Sequence, residues 1–286
     1  MGLLSDFGGA SGLAGLIGCS LLSTLATWGS VSGDPTETLT FVVIGLAATC
    51  SIHLGSALLS PVVSPMLYGA FDAEGRRNWH GRVVGTCFAF FSLSLAIAER
   101  LDPSPELEAD HFFGSSARSR LLLGVTHGFF TWDAAFSFCM TKQEAAVRGH
   151  ALSGIVVGVA NLQPFCQRQI AAILVWEAST PLLNLRTHLK ECGLTSGSLF
   201  MVVNVLFAVT FLGVRWGIGL RDSLLFIPEA WALFRAGDPR LRYCALVLAF
   251  VGNLMMNSFN LLWGTLVLKG VLKTVGLLKS SRGKKA

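Results

Sequence analysis

The chain has 286 residues, of which 52% are hydrophobic and only 14% are charged, and its formal net charge is +5 at pH 7. Soluble domains carry about a quarter charged residues, so this composition excludes an ordinary soluble protein and indicates an integral membrane protein. The basic residues are scattered over short loops and the carboxyl-terminal tail, without interleaved aromatic residues, so we expect no nucleic-acid partner.

Long apolar stretches divide the chain into candidate membrane spans of about 20 residues each. Helices satisfy their own backbone hydrogen bonds in hydrocarbon, so the predicted fold is all-α, a polytopic transmembrane bundle of seven to eight spans. The first stretch is rich in Gly and Ser, and the fifth and sixth are separated only by a short turn around Pro164. The candidate spans are residues 12–30, 38–60, 81–98, 120–140, 147–163, 168–184, 197–217 and 242–266.

Loop composition suggests how the chain is organised. We expect residues 1–37 to form an additional amino-terminal span with its loop, residues 38–275 to form the membrane domain, and residues 276–286 to form a basic tail. Residues 219–242 mix apolar and basic side chains, which is typical of a short interfacial helix. A slight excess of Lys and Arg favours cytoplasmic chain ends.

Polar side chains recur at helical spacing inside six of the spans, and such residues usually face the interior of a bundle. Isolated Ser, Thr and Asn residues are equally well explained by hydrogen bonds between helices. A charge at the membrane centre costs about 2.5–3.5 kcal/mol on insertion scales, so the acidic members should be paired, protonated or hydrated. The stripes are His53, Ser56 and Ser60; Thr126, His127 and Asp133; His150, Ser153 and Asn161; Glu177, Thr180, Pro181 and Asn184; Asn204 and Arg215; and Asn253, Asn257 and Asn260.

The segment WEASTPLLNL, residues 176–185, places a carboxylate and a proline together near the end of an apolar stretch. Pro181 cannot donate a hydrogen bond to the carbonyl of Glu177, which predicts a bend in the helix beside the carboxylate. We expect the Glu177 side chain to face the bundle interior. Its candidate partners are His127, His150, Asp133, Asn184 and Arg215.

Six segments, over about residues 38–275, resemble in order and spacing the TLC domain, the fold shared by ceramide synthases and related membrane proteins. The first resembles the Trp-x-x-Arg entry of that domain and contains Trp79 and Arg82. The fourth is similar to the E-x-S-T-P-x-x-N-x-R form found outside the ceramide synthase branch. The segments are NWHGRVVGTCFAF (78–90), HGFFTWDAAF (127–136), RGHALSGIVV (148–157), WEASTPLLNLRTHLKECG (176–193), FLGVRWGI (211–218) and NLLWGTLVLKG (260–270).

The resemblance implies a helix bundle around an interior that holds lipid. In ceramide synthases, a His-His pair and an HDxxD motif carry acyl transfer from acyl-CoA to a sphingoid amine. This chain has Gly149 at the position of the first histidine, and the Glu177 segment replaces the aspartate motif. We therefore expect ceramide synthase activity to be absent, although His150 and Glu177 are the residue types of an acid–base pair.

Three functions are compatible with these features. The first is lipid binding in a polar interior, which contributes to membrane lipid homeostasis without catalysis. The alternatives are an accessory subunit of a larger membrane complex with protein partners, and an acyl-CoA-dependent acyltransferase that uses His150 and Glu177.

The partners and the site residues follow from the first function. We expect membrane lipids as partners, the endoplasmic reticulum as the compartment by family default with an organellar membrane as the alternative, and no cofactor. The seven cysteines are isolated, without a C-x-x-C pair, so we expect no metal site. The candidate lipid-binding residues are Trp79, Arg82, His127, Asp133, His150, Glu177, Asn184 and Arg215.

Overall fold

The computed structural model describes residues 8–30 and 36–274. All regular secondary structure in these two ranges is helical, which confirms the predicted all-α fold. The predicted basic tail at residues 276–286 and parts of the predicted amino-terminal unit lie outside the described residues. The α-helices are α1 Gly9–Ser30, α2 Thr36–Val63, α3 Pro65–Ala70, α4 Ala73–Leu101, α5 Pro105–Ala109, α6 Ala117–Ala135, α7 Ala145–Asn161, α8 Gln167–Ile173, α9 Thr180–Glu191, α10 Ser198–Phe211, α11 Leu220–Ala236 and α12 Tyr243–Thr274.

Within residues 8–30 and 36–274, four helical stretches are long and apolar enough to cross a membrane, so the chain is a membrane protein. They are α2, α4, the continuous stretch Ser198–Ala236 and most of α12. The other predicted spans coincide with helices that are shorter or less apolar, and the count of seven to eight crossings stays a prediction. The segment 219–242, expected to hold an interfacial helix, contains α11, which continues the helix that begins at Ser198.

Contacts between helix ends and loops show that successive long helices run in opposite directions. One end of the bundle, called here the rim end, gathers the start of α2, the end of α4, the start of α8 and the loop after α11. The far end gathers the start of α4, the loop between α6 and α7, and the end of α9. The side-chain pairs at the rim end are Arg120–Glu37, Arg168–Glu108 and Arg240–Asp110, and those at the far end are Gln143–Asn78 and Arg82–Glu191.

In the part of the chain that the structure describes, three short helical segments depart from α-helical geometry. Residues Phe136–Met140 extend α6 as a π-helix, Leu174–Ser179 join α8 to α9 as a 3-10 helix, and Leu212–Gly219 join α10 to α11 as a π-helix. Such segments inside long helices often mark functional positions. The second contains Glu177 and the third contains Arg215.

The predicted bend at Pro181 lies elsewhere in the structure. Pro181 lies in the first turn of α9 rather than inside a helix. At that position its missing N–H is not needed by the helix it begins, and its fixed φ suits a helix start. The change of geometry comes one turn earlier, in the 3-10 segment that contains Glu177.

Glycine residues bring the backbones of α2 and α6 into direct contact. A Cβ atom added at Gly45 of α2 would lie 2.5 Å from the carbonyl oxygen of Val125, and one at Gly128 of α6 would overlap the carbonyl oxygen of Val42. Membrane helices associate through close packing rather than the hydrophobic effect, so small residues at an interface matter. This contact fixes α6, which carries Thr126, His127 and Asp133 into the bundle.

Replacing Gly45 with Ala should destabilise the fold by about 1–3 kcal/mol, the usual cost of overpacking, because the added Cβ meets rigid backbone. Gly55→Ala in the same helix is the matched control, since nothing lies within 4 Å of its added Cβ. That change should be neutral or stabilise by up to about 1 kcal/mol through helix propensity. Thermal unfolding in detergent measures both, and equal effects would contradict the close contact of α2 with α6.

Candidate functional site

A cavity of about 400 Å³ opens at the rim end, between α4, α8, α11 and α12. We call it the outer cavity. Its deeper walls are apolar, formed by Ile173, Trp176, Phe226, Ala249 and Met256 among others. Charged residues from the ends of neighbouring helices surround its mouth. They include Glu99, Arg100, Glu108, Arg168, Arg221 and Asp222.

Most charges at the mouth are paired with one another. Arg100 contacts Asp222 at 2.9 Å, and Arg168 contacts Glu108 at 3.1 Å. The buried carboxylate of Glu99 accepts hydrogen bonds from the backbone N–H and the hydroxyl of Ser104, at 2.6 and 2.9 Å. The mouth is therefore polar but close to electrically balanced, and it does not select strongly for one sign of charge.

A second pocket, of about 30 Å³, lies behind the outer cavity and is called here the inner pocket. Its volume is enough for about two water-sized groups. Both spaces are lined by Val157, Ile170, Ile173, Trp176 and Met256. These five side chains, which we call the partition, lie where the outer cavity and the inner pocket adjoin.

Polar side chains from several helices line the inner pocket: Thr126 from α6, His150 and Asn161 from α7, Glu177 from the 3-10 segment, and Arg215 from the second π-helix. Four of the six polar stripes thus contribute to one small space. The apolar helices enclose a polar centre that is separated by the partition from a larger apolar cavity.

Glu177 lies on the wall of the inner pocket, as expected from the energetic cost of a charge facing lipid. Its carboxylate accepts a hydrogen bond of 2.7 Å from the hydroxyl of Thr180, one turn later in the chain. Thr180 was not among the predicted partners. Of the predicted ones, Arg215 and Asp133 interact with Glu177 electrostatically.

Arg215 is only 6% exposed and joins three parts of the bundle. Its Nε donates to the hydroxyl of Ser179 at 3.2 Å, and its Nη1 donates to the side-chain oxygen of Asn260 at 2.9 Å. The guanidinium also lies 5.1 Å from the centre of the Phe211 ring. A buried cation is tolerated only with such partners, so Arg215 links the 3-10 segment and α12 through the second π-helix.

The remaining predicted residues do not line either space. His127 is buried against α7, where a Cβ at Gly158 would overlap its ring. Asp133 is half-buried on α6. His127 therefore contributes to the packing of α6 against α7. Asp133 interacts with Glu177 electrostatically but does not line the inner pocket.

Trp79, Arg82 and Asn184 lie together at the far end of the bundle. The indole N–H of Trp79 donates to the hydroxyl of Ser60 at 2.9 Å, and Arg82 forms a salt bridge with Glu191. The amide of Asn184 donates to the carbonyl oxygen of Arg82 at 3.1 Å. These contacts tie α4 to α2 and α9, so the structure separates this group from the residues of the inner pocket.

A buried polar cluster around His80 was missed. His80 is fully buried, with Nδ1 2.8 Å from the hydroxyl of Ser56 and Nε2 3.1 Å from the hydroxyl of Tyr68. The ring of His53 lies 5.3 Å from that of His80. The predicted span began at residue 81, which placed His80 in a charged loop, but its helical spacing to the buried Val84 and Phe88 is a signal that could have found it.

Gly149 stands where the synthase pattern has a histidine. A Cβ at Gly149 would lie 2.6 Å from the tip of the Phe259 ring on α12. A larger residue at this position would require the Phe259 ring to move. His150, by contrast, reaches the inner pocket.

Together these features define a helical membrane protein with a two-part cavity, apolar near its rim end and polar at its centre. The TLC domain matches residues 78–269, which is more than half of the chain. The chain belongs to the TLC domain family, as the motifs predicted.

Two fungal proteins are similar to the chain. One, named Topoisomerase I damage affected protein 4, from Saccharomyces cerevisiae, is 30% identical over 151 residues, 51% of this chain and 53% of that protein. An uncharacterized TLC domain-containing protein of Schizosaccharomyces pombe is 26% identical over 226 residues, 72% of this chain and 70% of that protein. The match therefore spans about half the length of the first relative.

Replacing Arg215 with Lys should lower the stability by about 1.5–3 kcal/mol, the worth of hydrogen bonds to a charged group. A lysine keeps the charge but lacks the planar fork that reaches Ser179 and Asn260 together. Arg235→Lys, on an exposed position of α11, is the control and should have little effect. Thermal unfolding of both variants tests this, and an unchanged midpoint for Arg215→Lys would contradict a linking role.

Proposed function

We propose that the protein binds a membrane lipid inside the bundle and thereby contributes to membrane lipid homeostasis, without catalysing a reaction. The observation that carries the proposal is the outer cavity, with its apolar walls and its balanced, charged mouth. Ligand pockets have volumes of about 300–1,000 Å³, and this cavity lies at the lower end of that range. That size favours a lipid with a single hydrocarbon chain.

The position of the cavity supports this proposal. Charged residues at the rim end suit the headgroup layer, whereas the walls formed by Ile173, Trp176 and Met256 suit hydrocarbon. A chain that enters from the bilayer was already in an apolar medium, so burial alone provides little affinity. The shape of the cavity and its contacts with polar groups must then decide which lipid binds.

Family membership is consistent with a role in membrane lipids. The endoplasmic reticulum is the compartment that we propose by family default. The lipid-binding role of the inner-pocket residues, His150, Glu177 and Arg215, belongs to the same proposal, because they form the polar end of the space.

Replacing Ala172 with Phe should displace the lipid, because Ala172 lines the outer cavity and a phenyl ring would fill part of it. We expect about a tenfold fall in lipid retained per protein, which corresponds to about 1.4 kcal/mol. Mass spectrometry of lipids that co-purify with the protein in nanodiscs measures the loss. The matched control is Ala232→Phe on the exposed face of α11, which should retain the lipid.

Two results would contradict lipid binding in the outer cavity. One is a variant with Phe at position 172 that retains lipid as fully as the unmodified chain. The other is a purified protein that carries no lipid beyond that of the surrounding bilayer. Thermal unfolding of both variants should show intact folds, so that a loss of lipid is not caused by misfolding.

A second candidate function is acyl transfer from acyl-CoA. The observation in its favour is that His150 and Glu177 line the same inner pocket, where an acid–base pair could act. Against it, the synthase pair is incomplete, because Gly149 stands at the position of its first histidine, next to the Phe259 ring. We therefore rank acyl transfer below lipid binding.

The purified protein should not convert a sphingoid base and an acyl-CoA into ceramide, because the synthase histidine pair is incomplete. The measurement is product formation in reconstituted membranes, with a ceramide synthase preparation as the positive control. Turnover that is lost in His150→Ala but kept in His111→Ala, a change in the loop between α5 and α6, would replace lipid binding with catalysis as the function.

A further inference from the structure

Three buried polar atoms of residues that line the inner pocket have no hydrogen-bond partner in the part of the chain that the structure describes. They are Thr126 Oγ1, His150 Nδ1 and Asn161 Oδ1. Thr126 and Asn161 are 7% and 1% exposed. Buried polar atoms in folded proteins are nearly always hydrogen-bonded, so three such atoms around one small space point to a polar occupant.

The size of the inner pocket and the types of atom around it restrict the occupant. A volume of about 30 Å³ admits a hydroxyl but not a phosphate headgroup. The side-chain oxygen of Asn161 can only accept, whereas the hydroxyl of Thr126 can both donate and accept. This combination matches a group that donates and accepts at once.

The charges around the inner pocket also favour an uncharged group. Glu177 and Arg215 face the same space with opposite signs. An ammonium group would be repelled by Arg215, and a carboxylate or phosphate would be repelled by Glu177. A charged group would also lose its hydration without a partner of its own.

We propose that the inner pocket binds the hydroxyl group of a single-chain neutral lipid, a long-chain alcohol in chemical class, whose hydrocarbon chain lies in the outer cavity. This inference rests on the proposed function and names the ligand class that the cavity takes. Thr126 donates to the hydroxyl oxygen, and the side-chain oxygen of Asn161 accepts the hydrogen bond from the hydroxyl.

The partition must let the hydroxyl pass, and Met256 is the side chain best suited to move. Its thioether has three rotatable bonds and is held by a single hydrogen bond of 3.0 Å from the hydroxyl of Ser153. Trp176, on the same partition, is fixed, because the Nε1 edge of its ring packs against Gly219, where a Cβ would lie 2.6 Å away.

The test compares two photoreactive probes in nanodiscs that hold the full chain: hexadecanol with a diazirine on its alkyl chain, and the methyl ether of the same molecule. The ether has the same chain but cannot donate a hydrogen bond. We expect about tenfold more crosslinking by the alcohol, as one lost hydrogen bond implies. Peptide mass spectrometry should place the crosslinks on residues of the outer cavity.

Two variants remove single hydrogen-bonding groups from the inner pocket. Asn161→Leu removes the acceptor that only the alcohol can use, so it should reduce crosslinking by the alcohol to the level of the ether and leave the ether signal unchanged. Thr126→Val keeps the shape of the side chain but removes a donor that the oxygen of either probe can use, so it should lower both signals. Trp231→Phe, at a position 54% exposed on α11, is the control and should leave the preference intact.

Failure of this inference is distinguishable from failure of the proposed function. Equal crosslinking of the outer cavity by both probes, unchanged in Thr126→Val, would overturn hydroxyl recognition and leave lipid binding standing. If neither probe crosslinks to residues of the outer cavity, both proposals are overturned. Should Asn161→Leu fail to fold, Thr126→Val alone decides, because valine replaces threonine with almost no change in volume.

Discussion

Arg215 carries a full positive charge inside a bundle of apolar helices, and the guanidinium cannot be left against hydrocarbon. It is held by the hydroxyl of Ser179 and the side-chain oxygen of Asn260, and it shares the inner pocket with Glu177. These groups come from the 3-10 segment, the second π-helix and α12. The polar centre of the bundle depends on bringing these three elements together.

The 3-10 segment and the second π-helix bring these charged groups together at the centre of the bundle. A 3-10 segment places Glu177 within reach of Thr180 in its own turn, so the carboxylate is satisfied before any other helix contributes. A π-helix at Leu212–Gly219 carries Arg215 towards the centre. Changes of helical geometry are tolerated in membranes where the freed backbone groups find partners inside the protein. Here they coincide with the two charges that line the inner pocket.

The spacing of polar residues along the sequence predicted much of this arrangement. Helical periodicity placed Thr126, His150, Glu177 and Arg215 on interior faces, and all four line the inner pocket. Those predictions succeeded because the cost of exposing polar groups to lipid acts on each helix separately. The motif resemblance alone did not predict where the site residues lie in the bundle. Trp79, Arg82 and Asn184 belong to the matching motifs, but they lie at the far end and not at the inner pocket.

Features that arise between helices could not be predicted from the sequence. The contact of Phe259 with Gly149 depends on how α12 packs against α7. The partition between the two spaces exists because Trp176 and Met256, eighty positions apart, meet across the bundle. His80 was missed for a different reason, since its charged neighbours moved the predicted start of the span past it.

The most direct test of the account is an electron cryomicroscopy map of the full chain in nanodiscs, at a resolution that shows side chains. The account predicts elongated density in the outer cavity, running from the charged mouth to the partition, with Glu177 and Arg215 facing the inner pocket behind Trp176. A cavity filled by protein side chains, or a map in which Glu177 points outward at the acyl chains of the bilayer, would contradict it.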